Sequence, residues 1–140
     1  MRNKAFLPLL FFVFTITGCN AQNTGSDGKP ATEVQTAKTS MTVDELKQRI
    51  AAGDTNMVIV DVRTLGELSG ELGAIPGIIH IPVDEMSKRH TELDQFKNKE
   101  IAVVCRSGNR SGKATTLLRD KGFNAINVSG GMLAWRKSGN

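Results

Sequence analysis

The chain has 140 residues, with 18 lysines and arginines against 14 acidic residues, a net charge of +4, and 39% hydrophobic residues. That modest excess of positive charge, with no basic stripe, argues against a protein built to grip nucleic acid. No internal repeat or heptad pattern points to a solenoid or a coiled coil.

From the amino terminus, Arg2 and Lys4 form a short positive region, Ala5 to Thr17 is apolar apart from Pro8 and two threonines, and Ile16-Thr17-Gly18-Cys19 follows. This is the pattern of a secretory signal peptide, too short to span a bilayer as a helix. Its ending resembles the bacterial lipoprotein signal. The resemblance implies removal of residues 1–18 and acylation of Cys19 on its thiol and its new amino terminus, and two or more acyl chains hold a protein stably on a membrane. The alternatives are an ordinary cleaved signal that leaves Cys19 a thiol, or an uncleaved anchor. Asn20 supplies no acidic retention cue, so the anchor is expected on the periplasmic face of an outer membrane where the cell has one. Loss of Arg2 and Lys4 leaves 16 basic against 14 acidic residues, a net charge of +2.

Residues 19–40 have Val34 as their single large aliphatic side chain, too little to bury, and read as a flexible tether. The folded part is expected over Met41 to Asn140, one domain with a core able to stand alone. Thr42 with Glu45 predicts a capping box, and Val43, Leu46 and Ile50 share one helical face before Gly53 stops the helix. Met57 to Val60, ending in Asp61, reads as a strand buried on both faces. Ile78 to Ile81 is a short strand stopped by Pro82, and Val83 to Phe96 reads as helical. Ile101 to Val104 is a second wholly apolar strand, followed by a helix over Ser111 to Lys121 that carries Ala114, Leu117 and Leu118. Ala125 to Val128 is a last strand, Gly130-Gly131 a turn, and Met132 to Lys137 a terminal helix. Strands alternating with helices predict an α/β domain, a parallel sheet covered on both faces. Ligands of such sheets bind beyond the carboxyl ends of the strands, where Asp61 and Cys105 both fall.

Cys105-Arg106-Ser107-Gly108-Asn109-Arg110-Ser111-Gly112 joins the second apolar strand to the helix after it. A cysteine ending an apolar strand could simply be core. A core position is seldom followed by Arg-Ser-Gly-Asn-Arg-Ser, and this setting suits a reactive thiolate instead: a helix N-terminus and neighbouring guanidinium groups both favour the charged form. Gly108 and Asn109 tolerate the backbone angles of a tight curl, so the loop amides can turn inward as an anion-binding nest. With lipidated Cys19, Cys105 is the mature chain's one free thiol and no internal disulfide forms. A lone thiol kept outside the cytoplasm is exposed to oxidation, which argues for a chemical task.

Asp61-Val62-Arg63 with Glu67, Ile75-Pro76-Gly77, Ile81-Pro82, the Cys105 to Ser111 loop and Gly130-Gly131-Met132-Leu133-Ala134-Trp135 together resemble the successive motifs of a single-domain rhodanese. The resemblance covers about Met41 to Ser138. It implies a three-layer domain with a central parallel sheet flanked by helices, and a persulfide on Cys105 as the reacting species. Four residues separate Cys105 from Arg110, against five in the related cysteine phosphatases, so the cradle fits a single sulfur better than a tetrahedral phosphate. The expected reaction moves sulfane sulfur from thiosulfate or a similar donor to cyanide or a thiol. Arg106 and Arg110 would attract the anionic donor, Ser107 and Ser111 would donate to the persulfide with Gly108 and Asn109 shaping the loop, and Asp61 and Arg63 would brace the pocket through charge pairing, unless they form only a surface salt bridge. The same residues would serve a sulfur carrier or redox relay acting on a protein partner. A non-catalytic docking module has no reason to keep the complete loop. The family commonly has Gly-His before Ile-Pro-Gly, where this chain has Gly73-Ala74, which affects pocket shape and donor preference. No cofactor is implied, and His80, His90 and Cys105 do not make a credible metal site.

Overall fold

The computed structural model describes residues 38–139. The expected signal peptide, Cys19 and the tether as far as residue 37 lie outside the described residues. Five strands form one all-parallel sheet in the order β1-β5-β4-β2-β3: β1 Ser40–Met41, β2 Met57–Asp61, β3 Ile79–His80, β4 Glu100–Val104 and β5 Asn124–Val128. The helices are α1 Val43–Ala51, α2 Leu65–Leu68, α3 Met86–Arg89, α4 Asn109–Asp120 and α5 Gly131–Lys137, with a 3-10 helix over His90–Phe96.

Alternation along the strands decides what faces what. In β4, Ala102 and Val104 pack with Leu46 of α1 and Met132 and Trp135 of α5, whereas Ile101, Val103 and, just past the strand, Cys105 pack with Met86, Leu93, Ala114 and Leu118. Every residue from Ile101 to Val104 is fully buried, as the central strand of a doubly covered parallel sheet must be. Cys105 thus belongs by parity to the face covered by α4, and its sulfur meets the start of that helix. The chain leaves β2 for β3 on one side and returns to lay β4 on the other. The carboxyl ends of β2 and β4 therefore flank the sheet's switch point, in the register Asp61 opposite Val104.

Several elements differ from the sequence expectation. Ser40, expected as the tether's last residue, is in β1, and Asn127 N–H donates to Thr39 O at 3.0 Å, so ordered pairing begins before Met41. At the start of α1, Thr42 Oγ1 accepts from Glu45 N–H at 3.2 Å, but the Glu45 carboxylate pairs with Lys38 instead of closing the box. The box forms at α2, where Glu67 Oε2 accepts from Thr64 N–H at 3.1 Å. Val83 to Phe96 is not one helix: a turn leads into α3 and then the 3-10 helix. His90, Leu93 and Phe96 recur every third residue, a spacing that eclipses side chains in a 3-10 turn and drifts around an α-helix. Helix α4 starts two residues earlier than expected, at Asn109, directly after Gly108 in a left-handed conformation (φ 105°).

Candidate active site

Cys105 is buried at the base of the loop. Gly108 N–H donates to its sulfur at 3.1 Å, and Ser111 Oγ lies 3.3 Å away. Burial pushes the thiol up, but the Ser111 hydroxyl and the backbone N–H groups of Ser111, Gly108 and Ser107 outweigh it and hold Cys105 below the ordinary thiol value. The stabilisation comes from the curled backbone and one hydroxyl, in keeping with an anion-binding nest.

The loop keeps its curl because α5 grips it from behind. Met132 N–H donates to Cys105 O at 2.8 Å and Leu133 N–H to Arg106 O at 3.0 Å. This approach is open only to glycine at residue 131: a Cβ there would lie 2.3 Å from Cys105 O and 2.8 Å from Arg106 O. Gly130-Gly131, read from sequence as a turn, is therefore also the back wall of the loop.

The other expected residues divide. Ser111 is fully buried and touches the sulfur; Ser107 is exposed and contributes through its backbone; Asn109 is exposed and opens α4. Arg110 does not present a free guanidinium. Its Nη1 and Nη2 donate to Glu67 Oε2 and Oε1 at 2.7 and 2.6 Å, a bidentate pair that holds the Glu67 carboxyl at about 2. The hydrogen bonds to Glu67 raise the Arg110 pKa against burial, with smaller contributions from the charges of Glu67, Cys105 and Asp61. Arg106 is exposed and makes no ion pair among the described residues. It lines a cavity of about 460 Å³ with Arg63, Thr64, Glu67, Glu71, Leu72 and Leu133.

Asp61 and Arg63 form a buried pair, 0% and 1% exposed, so the surface salt-bridge alternative does not hold. Arg63 Nη2 donates to Asp61 Oδ2 at 2.7 Å and to Gly73 O at 2.7 Å, and Nη1 to Glu67 O at 3.3 Å. One guanidinium thereby ties the end of β2 to α2 and to the turn before Ala74. Removing one partner of such a pair leaves a buried uncompensated charge, at a cost of about 3–5 kcal/mol. Three contributors have no role that the sequence alone reveals. Glu67 is visible in the motif, but its partner lies 43 residues away. Arg136 Nε donates to Leu72 O at 2.7 Å and secures the same turn from α5. Asn127 Oδ1 lies 2.7 Å from Ser111 Oγ; an amide set between the buried Ile126 and Val128 is the signal that could have singled it out.

Residues 42–138 match the Rhodanese-like domain family. This chain belongs to that family. It is 39% identical over 90 residues to the putative sulfurtransferase YtwF of Bacillus subtilis, covering 64% of this chain and 82% of that protein. It is 36% identical over 109 residues to the putative sulfur carrier protein YrkF of the same organism, where the match covers 77% of this chain but only 56% of the relative. Among solved structures, a rhodanese-related protein from Thermoplasma volcanium superposes with a TM-score of 0.64 at 33% identity, over 72% of this chain and 93% of that one. The parallel sheet flanked by helices is the rhodanese fold.

Proposed function

We propose that this rhodanese is a sulfurtransferase that carries sulfane sulfur as a persulfide on Cys105. The observation that carries the reading is the sulfur's own surroundings: a buried thiol, held below its ordinary pKa by loop amides and Ser111, at the start of a loop that reaches Arg110 after four residues. In the first half-reaction the Cys105 thiolate attacks the outer sulfur of thiosulfate. The new bond is sulfur to sulfur, the donor's own S–S bond breaks, and sulfite leaves with that electron pair. The terminal persulfide sulfur keeps the negative charge among the loop N–H groups. In the second half-reaction cyanide or a thiolate takes that sulfur and Cys105 returns as thiolate. Arg106, without an ion-pair partner among the described residues, is the guanidinium available to draw in the anionic donor, while Arg110 acts as a fixed positive charge held by Glu67.

The relatives named as sulfurtransferase and as sulfur carrier support sulfur transfer in general. A protein acceptor is the second reading, supported by the carrier-named relative. Export and anchoring through lipidated Cys19 complete the proposal and rest on the sequence pattern of residues 1–19.

Residues 20–140 are assayed for thiocyanate formation from thiosulfate and cyanide, beside Cys105→Ser. Turnover that survives the substitution overturns the nucleophile assignment. Weak turnover with a stable added sulfur on Cys105 by mass spectrometry selects the carrier reading. For the anchor, Cys19→Ser is expected to release the full chain from membranes; a chain that stays bound and unprocessed refutes lipidation.

A further inference from the structure

Ser111 Oγ sits between two acceptors, Cys105 Sγ at 3.3 Å and Asn127 Oδ1 at 2.7 Å, and has one hydrogen to give. With the hydrogen on Asn127, a hydroxyl lone pair faces the sulfur. That suits a thiol, whose S–H can donate to Ser111, and opposes a thiolate. We infer that Asn127 is a positioning residue whose amide orientation decides whether Ser111 donates to the Cys105 sulfur.

Turning the amide by half a revolution presents Nδ2–H to Ser111 Oγ, which then accepts from Asn127 and releases its own hydrogen to the thiolate. The torsion is a broad, roughly two-fold one, so both orientations are open to Asn127. Nδ2 has no hydrogen-bond partner among the described residues, so the turn breaks no other bond there. The backbone of Asn127 is meanwhile clamped: its N–H donates to Thr39 O at 3.0 Å, and the residue pairs in register with Val103 of β4. Parity places Asn127 on the same face of the sheet as Ala125, the face covered by α4. Side-chain amides are suited to this task because they offer either a donor or an acceptor at nearly the same position. An ionised aspartate, with acceptors alone, would hold the Ser111 hydrogen away from sulfur whether Cys105 is thiol or thiolate.

The inference rests on Cys105 reacting as a thiolate, and its test reads the thiolate directly, without sulfur transfer. The charged groups around the sulfur are Arg106 in the loop, Arg110 on α4 paired with Glu67 of α2, and Asp61 of β2 paired with Arg63; none lies on β5 and none is altered in the variants. In folded protein the pH midpoint of Cys105 alkylation is measured for the unsubstituted chain, Asn127→Asp, Asn127→Ala, Ser111→Ala, and Ser111→Ala combined with Asn127→Asp. Losing the hydrogen bond from Ser111 to the thiolate is expected to raise the midpoint by about one to two pH units. Asn127→Asp should show that rise, and Asn127→Ala, which leaves Ser111 free to donate, should not. The aspartate should add little once Ser111 is already alanine. An aspartate shift of equal size with and without Ser111 would mean a through-space charge and would overturn the relay. So would a rise in Asn127→Ala as large as in Ser111→Ala. If Asn127→Asp does not fold, Asn127→Ser, which keeps a hydroxyl able to serve either role, should retain the unsubstituted midpoint, and a full-sized rise in it overturns the inference. A chain without sulfurtransferase activity that still shows this pattern would refute the proposed reaction and leave the relay standing.

Discussion

Substituting alanine for Gly131 tests how the loop is held, because the structure gives both the strain and the clash. Residue 131 has φ +53°, where a side chain costs about 1–2 kcal/mol. The new Cβ would also lie 2.3 Å from Cys105 O and 2.8 Å from the Arg106 carbonyl carbon and oxygen, all backbone atoms that cannot swing aside. Overpacking of this kind adds about 1–3 kcal/mol, so the total is about 2–5 kcal/mol. Relief requires the Cys105 carbonyl to retreat, which breaks the 2.8 Å bond from Met132 N–H and moves the residue bearing the sulfur. Gly122→Ala is the matched control: φ is +85° and nothing lies within 4 Å of the position its new methyl group would take, so strain acts alone at about 1–2 kcal/mol. Urea denaturation of both variants, with alkylation of Cys105 followed against pH, reads the two consequences. Gly131→Ala should fall below Gly122→Ala in stability and should also raise the Cys105 midpoint, which Gly122→Ala leaves alone. Equal stability, or an unmoved midpoint, refutes the claim that α5 sets the loop.

The Glu67 to Arg110 pair makes opposite predictions for its two members. Glu67→Gln keeps a hydrogen-bond acceptor but removes the compensating charge, so Arg110 should favour the thiolate more and the alkylation midpoint should fall; Arg110→Ala leaves Glu67 alone near the sulfur and the midpoint should rise, each by roughly half a unit to one unit given partial exposure. Glu67, held at about 2 against an ordinary 4.5, contributes stability that is complete above about 4.5 and is lost as pH falls towards 2. Acid unfolding of Glu67→Gln should accordingly be shallower than that of the unsubstituted chain across that window, and identical curves would count against the pairing. Because loop hydrogen bonds rather than free guanidinium groups depress Cys105, raising salt from about 0.05 to 1 M should leave its midpoint nearly fixed. A rise of a full unit would instead point to exposed Arg106 as the stabilising charge.

What can be read from the chain is local or periodic. The apolar runs Met57 to Val60 and Ile101 to Val104 announce doubly buried strands, and both lie within β2 and β4. A thiol followed at once by glycine, serine and arginine announces the nest. What escapes is set by register or by distance in the chain. A two-residue strand such as β1 has no period to detect, and its existence depends on β5 offering an edge. The four residues of α2 are too few for an amphipathic pattern, though Thr64 and Glu67 carry the capping signature. The 3-10 helix passes for α-helix in the sequence because its apolar residues are sparse.

The two arginines show most clearly why a motif fixes chemistry more loosely than a fold does. Spacing places both beside Cys105 and suggests one common role, the capture of an anion. The fold separates them, because Arg110 falls on the first turn of α4 within reach of a carboxylate on α2, whereas Arg106 precedes the helix and meets no ion-pair partner among the described residues. A bidentate carboxylate offers Arg110 a better partner than a transient dianion in water, so its charge becomes a permanent part of the site. Thiolate stabilisation then falls to neutral donors: Gly108, whose left-handed geometry aims its N–H inward, and Ser111, whose hydrogen depends on Asn127. Neutral donors favour an anion in the cradle without binding it as a counter-ion would, which is the balance required of a sulfur that must be accepted and then given away.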